Sequence, residues 1–189
     1  MAINNYPLII TLNVNGLNAR IKRHRIGEWI RKHEPHICCL QETHLRTKDL
    51  HRLKVKGWKQ IFQANGEEKK AGVAILISDK TDFKTTAIKR DPEGHFIILK
   101  GRIHQEDINI GNIYAPNIGA PKYIKKILED FKKDIDSNTI IVGDFNTPLS
   151  KMDRSSKQNI KKDIVSLNNT LDEMDLTDIY SAFHPKEAK

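Results

Sequence analysis

Residues 139–146 read Thr-Ile-Ile-Val-Gly-Asp-Phe-Asn. The mostly apolar first half predicts a buried strand, and it runs straight into Asp144 and Asn146. Those two residues are two apart, so in extended backbone their side chains share a face. The same design recurs along the chain. Residues 8–14 (LIITLNV) reach Asn13 just ahead of the loop-forming pair Asn15-Gly16. Residues 36–41 (HICCLQ) run into Glu42, and residues 108–114 (INIGNIY) end at Tyr114. With residues 72–78 (GVAILIS) and 95–100 (HFIILK), the pattern predicts six strands.

Helices fall between them. Ile26, Trp29 and Ile30 repeat at helical spacing until Pro35 stops the segment. Pro121 opens the clearest amphipathic helix, with Ile124, Ile127, Leu128, Phe131 and Ile135 on one face. Ile164, Leu167, Leu171 and Met174 mark another. This mixed order predicts a layered α/β or α+β fold rather than strict βαβ alternation. No repeat, linker or low-complexity stretch divides residues 1–189, so one domain is expected.

Composition narrows the function classes. Of 189 residues, 38% are hydrophobic and 30% charged, which fits a globular protein and not a disordered one. No apolar run approaches the ~20 residues of a membrane span, and the N-terminus has no signal-peptide pattern. Its two cysteines, Cys38 and Cys39, are neighbours in an apolar run, so neither a disulfide framework nor a cysteine zinc site is expected. An intracellular setting, nuclear or cytoplasmic, follows as the expectation. The net charge of +8 is localised: residues 20–70 hold 14 Lys and Arg against six Asp and Glu, and the rest of the chain is neutral. A surface that tracks phosphates has this charge pattern, and so does a solvated helical face.

Asn13, Glu42, Tyr114, Asp144 and Asn146 form an oxygen-rich set at strand ends, where loops let polar groups converge. Each has an ordinary structural explanation taken singly: Asn13 as a loop former, Glu42 as a first-turn acid, Tyr114 as half-buried packing, Asp144 as a turn cap. Their repetition points instead to a phosphate site dependent on Mg²⁺ or Mn²⁺, since hard oxygen donors suit those ions. Phosphate-binding glycine loops, zinc-protease and serine-hydrolase motifs are absent, and the five histidines between 24 and 51 show no metal-ligand spacing.

Four phrases carry a resemblance: Thr11–Leu17 (TLNVNGL), Gln41–His44 (QETH), Asn112–Pro116 (NIYAP) and Gly143–Pro148 (GDFNTP). In order and across essentially the whole chain, they resemble the endonuclease/exonuclease/phosphatase family, which includes exonuclease III and apurinic/apyrimidinic endonucleases. Residues 21–25 (IKRHR), 69–76 (KKAGVAIL) and 114–117 (YAPN) are similar, more narrowly, to endonuclease domains of LINE-type retrotransposon polyproteins. The resemblance implies an α/β two-sheet sandwich flanked by helices. It implies a Mg²⁺- or Mn²⁺-dependent phosphodiesterase acting on double-stranded DNA, monomeric or part of a longer polyprotein, with no membrane and no nucleotide cofactor.

By position, Glu42 would hold the metal with Asn13, Asp144 and Asn146 beside it. Asp144 would handle the proton of the attacking water, while Asn146 and Tyr114 would contact the phosphate. Arg20, Lys22, Arg23 and Arg25 would meet the DNA backbone. The family pattern closes with a further Asp motif and a Ser-Asp-His motif, and residues 1–189 stop before either. His184 is not a substitute for that histidine. The expectation is an incomplete sandwich of low activity, the alternative being a non-catalytic basic fragment that only binds nucleic acid.

Overall fold

The computed structural model describes residues 6–148 and 162–183. Its first sheet contains β1 (Ile9–Asn13), β2 (Ile37–Gln41), β3 (Gln60–Ala64) and β4 (Val73–Ile77) in the order β1-β2-β4-β3. A second contains β5 (Phe83–Arg90), β6 (Phe96–Ile103), β7 (Glu106–Tyr114) and β8 (Thr139–Asp144) in chain order. The β1–β2 and β7–β8 pairs are parallel and the others antiparallel. Each parallel pair is separated in sequence by a helix, as a crossover demands: α1 (Arg20–His33) in the first sheet and α2 (Ala120–Asp130) in the second.

Every residue of β2 and β4 is buried, which explains why these strands read as unbroken apolar runs. Alternate residues serve opposite faces. Cys38, Leu40, Ala74 and Leu76 pack with Ile30 of α1, Leu17 and Trp58 in one cluster. Ile37, Cys39, Val73, Ile75 and Ile77 face Ile97, Leu99 and Ile110 of the second sheet in another. α1 turns the face bearing Ile26, Trp29 and Ile30 onto the first cluster and stops at Glu34, whose φ of 46° breaks the helix before Pro35. Both cysteines are buried and unpaired.

Two strands are missing from the sequence reading. β3 carries Gln60 and Gln63 among its five residues, and β5 is exposed along most of its length, so neither shows the apolar run that marks the others. The amphipathic helix is also shorter than predicted: α2 ends at Asp130, a 3₁₀ turn covers Lys132–Asp134, and Ile135 is already extended.

By their internal contacts the residues group into two compact units. Both sheets and α1 lie in the first, which takes residues up to Tyr114 together with Ser137–Asp144. The second comprises Ala115–Asp136 and the residues from Phe145 onward. Within it α2 packs against α3 (Lys162–Glu173), with Lys125 Nζ donating to Ser166 Oγ at 2.9 Å. A short helix, α4 (Ile179–Phe183), follows. Met174, expected on α3, lies just past its end. No helix among the described residues is long and apolar enough to cross a membrane.

Candidate active site

Four of the five oxygen-bearing residues meet at one end of the first unit. Asn13 closes β1 opposite Gln41, whose successor is Glu42, and Tyr114 closes β7 opposite Asp144 of β8. One side chain joins the carboxylates: Asn13 Nδ2 donates to Glu42 Oε1 at 2.9 Å and to Asp144 Oδ2 at 2.7 Å. Its own Oδ1 accepts the Asn15 N–H at 2.9 Å, an Asx turn that fixes which way the carboxamide faces. With the oxygen engaged by backbone, the NH₂ must face the two acids.

Glu42 sits at φ 53°, a left-handed conformation that costs a non-glycine residue about 1–2 kcal/mol. The surrounding backbone holds it there. Gly16 N–H donates to Glu42 O at 2.6 Å, Leu17 N–H to Thr43 O at 2.7 Å, and Thr43 N–H to Gly72 O at 3.0 Å. His44 Nε2 lies 3.3 Å from Glu42 Oε2. Asp144 follows Gly143, whose φ of 146° and contact with the Ile113 backbone leave no room for a Cβ. The carboxylate therefore depends on a glycine immediately before it.

Burial, then the charge and hydrogen bond of Glu42 and the charge of Asp144, push the Tyr114 phenol up to about 12. The hydroxyl keeps its single proton and turns it toward Glu42. His95 holds the ring from its other side: the two rings are nearly parallel with centroids 5.8 Å apart, His95 Nδ1 is 3.0 Å from Tyr114 O, and Tyr114 N–H donates to His95 O at 2.7 Å.

Asn146 belongs to the second unit, where it takes φ 45° and donates from Nδ2 to Ala115 O at 2.7 Å. His184 lies outside the described residues. The four basic candidates divide. Arg20 and Arg25 are exposed on α1. Arg23 Nη1 donates to Leu17 O at 2.8 Å and Asn18 O at 2.6 Å, and Lys22 Nζ to Asn15 O at 2.5 Å, so these two strap the loop that follows Asn13.

His44, His95, Gln41 and Asn112 are the neighbours that sequence reasoning passed over. His44 was in plain view two residues after Glu42, whereas nothing in the sequence places His95 beside Tyr114. Among the described residues no group of three or more His, Cys, Asp or Glu side chains is arranged to hold a metal ion by itself. The acceptors of the cluster are the Glu42 and Asp144 carboxylates, oxygens of the kind that hard divalent cations take, while Asn13 turns its NH₂ to them.

A family model described as the endonuclease/exonuclease/phosphatase family matches residues 10–185. A DNA-(apurinic or apyrimidinic site) endonuclease of Dictyostelium discoideum is 27% identical over 203 residues, covering 96% of this chain and 55% of that protein. The DNA repair nuclease APEX1 of Danio rerio is 30% identical over 152 residues, covering 75% and 46%. The crystal structure of an AP endonuclease from Leishmania major superposes with a TM-score of 0.73 at 17% identity, covering 94% of this chain and 69% of that one. The chain thus shares its two-sheet α/β fold with that enzyme and spans about half the length of the two curated relatives.

Proposed function

This chain belongs to the endonuclease/exonuclease/phosphatase family, and from that premise we propose that it hydrolyses phosphodiester bonds in double-stranded DNA with Mg²⁺ or Mn²⁺. The observation that carries the reading is the Asn13 carboxamide set between Glu42 and Asp144. It keeps two like charges close together in a site with no soft donor, an arrangement with a purpose if a cation and a phosphate are to be held there.

Glu42 and Asp144 fit as the cation's ligands. Asn13, its oxygen committed to Asn15, fits as the spacer that sets their separation rather than as a ligand. When bound, the cation supplies Lewis-acid stabilisation of charge developing on the phosphate oxygens. Asp144 is the carboxylate that would accept the proton of the attacking water. Tyr114, its ring braced by His95, carries a hydroxyl that would turn its one proton from Glu42 to a phosphate oxygen. Arg20 and Arg25, both exposed, contribute sequence-independent phosphate contacts.

DNA is favoured over a small phosphate ester by the net charge of the 20–70 stretch and by the names of the two curated relatives. Within the family, the phrases at 21–25, 69–76 and 114–117 support a LINE-type retrotransposon endonuclease that works inside the cell, wherever its DNA lies. The test uses two labelled duplexes, one intact and one with a single abasic site, with Mg²⁺, Mn²⁺ or EDTA. Cleavage of the intact duplex in either metal and none in EDTA is expected. Cleavage confined to the abasic duplex would replace the retrotransposon reading with a repair enzyme. Indifference to both duplexes alongside turnover of a phosphomonoester would overturn the DNA reading.

A further inference from the structure

The face between the two sheets changes chemistry along its length. On β2 the residues turned toward the second sheet are Ile37, Cys39 and then Gln41, and on β7 they are Ile110, Asn112 and then Tyr114. Gln41 is 1% exposed and Asn112 is fully buried. A buried carboxamide is costly unless its polar atoms are paired. Asn112 Nδ2 donates to the carbonyls of Leu40 and Ala74, both at 3.0 Å, and Asn112 Oδ1 accepts from Gln41 Nε2 at 2.7 Å. Gln41 Nε2 is also 2.9 Å from Thr11 Oγ1 of β1. The two carbonyls settle which end of Asn112 is the amine, and hence that its oxygen faces Gln41.

One residue of the second sheet thus bonds directly to β2 and β4 of the first, and through Gln41 reaches β1. Aliphatic contacts tolerate sliding, whereas hydrogen bonds hold their distance within a few tenths of an ångström and their direction within a narrow cone. The bridge also sits where spacing counts: Glu42 follows Gln41, and Tyr114 is two residues beyond Asn112 on the same face.

We propose that Asn112 and Gln41 are positioning residues, a buried carboxamide bridge that holds the Glu42 end of one sheet at a fixed distance from the Tyr114–Asp144 end of the other. Its effect on rate rests on the nuclease reading, while its effect on geometry does not.

Two variants test it. Gln41→Met fills the same volume but removes the bonds to Asn112 and Thr11, leaving the two backbone contacts of Asn112 in place. Asn112→Leu removes the whole bridge. Leu99→Val is the control, trimming the same inter-sheet core without touching a polar group. The first readout is the ¹⁹F resonance of 3-fluorotyrosine at position 114 in metal-free protein, assigned among the four tyrosines by its loss in Tyr114→Phe. The second is kcat and KM for duplex cleavage in Mg²⁺.

Both bridge variants are expected to shift or broaden the Tyr114 resonance and to lower kcat on the order of 10²-fold with KM within about twofold. Leu99→Val is expected to lower urea stability while leaving the resonance and kcat in place. The proposal is overturned if Gln41→Met keeps the wild-type resonance and kcat, or if Leu99→Val moves them as far as the bridge variants do. If Asn112→Leu does not fold, Gln41→Met decides. If the wild type cleaves no DNA, the nuclease reading fails, and the resonance comparison still judges the bridge.

Discussion

Gly143→Ala joins the fold to the site most sharply. Gly143 pairs with Ile113 across the parallel β7–β8 ladder, one residue before both Asp144 and Tyr114. A Cβ at position 143 would overlap the Ile113 carbonyl oxygen and lie 2.8 Å from Ile113 C and 2.9 Å from its N. Carbon atoms rest comfortably at about 3.5–4.0 Å, so relief requires a strand shift on the order of 1 Å. These are backbone atoms, so no rotamer change can absorb it. Overpacking of this kind costs about 1–3 kcal/mol, and an alanine held at φ 146° adds roughly 1–3 kcal/mol. Gly57→Ala is the matched control: φ is 92° but nothing lies within 4 Å, so it should lose about 1–2 kcal/mol at most. Urea unfolding of both variants gives the stabilities, and cleavage rates measured where the chain remains folded give the activities. Displacing Asp144 by ~1 Å predicts a loss on the order of 10²-fold in Gly143→Ala, and no loss beyond the unfolded fraction in Gly57→Ala. Wild-type stability together with wild-type cleavage in Gly143→Ala would refute the described β7–β8 register.

Asn13→Leu removes the donor between Glu42 and Asp144. Like charges that reach one shared nitrogen repel by about 4 kcal/mol or less at an effective dielectric of about 20, and by less still where solvent reaches them. The variant should therefore be destabilised at low ionic strength and close part of the gap to wild type as added salt screens the pair, measured by urea unfolding at several salt concentrations. Arg23→Met should destabilise by about 1.5–3 kcal/mol through two lost charge-assisted bonds to the Leu17 and Asn18 carbonyls. Arg25→Ala should leave stability within about 0.5 kcal/mol while reducing the salt slope of DNA binding by about one, as a titration over several salt concentrations would show. Burial pushes the Cys38 thiol up to about 12 and the Cys39 thiol further still. The folded state therefore holds these protons more tightly than the unfolded one. Their contribution to stability is intact below the ordinary thiol value and falls as pH rises from there through about 12. At pH 8 a thiol reagent should label neither cysteine without denaturant, and rapid labelling would place them outside the core.

What the sequence disclosed follows from which residues are buried on two faces. β2 and β4 are covered on both sides, so HICCL and GVAILIS read plainly as strands. β5 is exposed along most of its length and β3 interleaves glutamines, so their strand character comes from pairing with β6 and β4, which no local pattern reveals. Asn13, Glu42, Tyr114 and Asp144 were legible because a polar residue closing an apolar run is a local signal. That they meet is a consequence of register, of Asn13 standing opposite Gln41 and Tyr114 opposite Asp144. Arg23 shows the reverse limit: a basic residue in a basic stretch reads by sequence as a phosphate contact, and nothing there reveals that its Nη1 also donates to the Leu17 and Asn18 carbonyls. Asn112 lay in view inside INIGNIY, but a buried carboxamide has meaning only once its partners on another sheet are known.

Glu42 and Asp144, spaced by Asn13, are proposed to hold the cation of a metal-dependent phosphodiesterase. Nicking of supercoiled plasmid by an excess of the chain, with Mg²⁺ or EDTA and with Asp144→Ala beside the wild type, tests it most directly. Mg²⁺-dependent conversion of supercoiled to open-circle DNA is expected of the wild type, and none of Asp144→Ala that circular dichroism shows to be folded. A folded wild type that leaves the plasmid intact in Mg²⁺, or nicking that survives in Asp144→Ala, would contradict it.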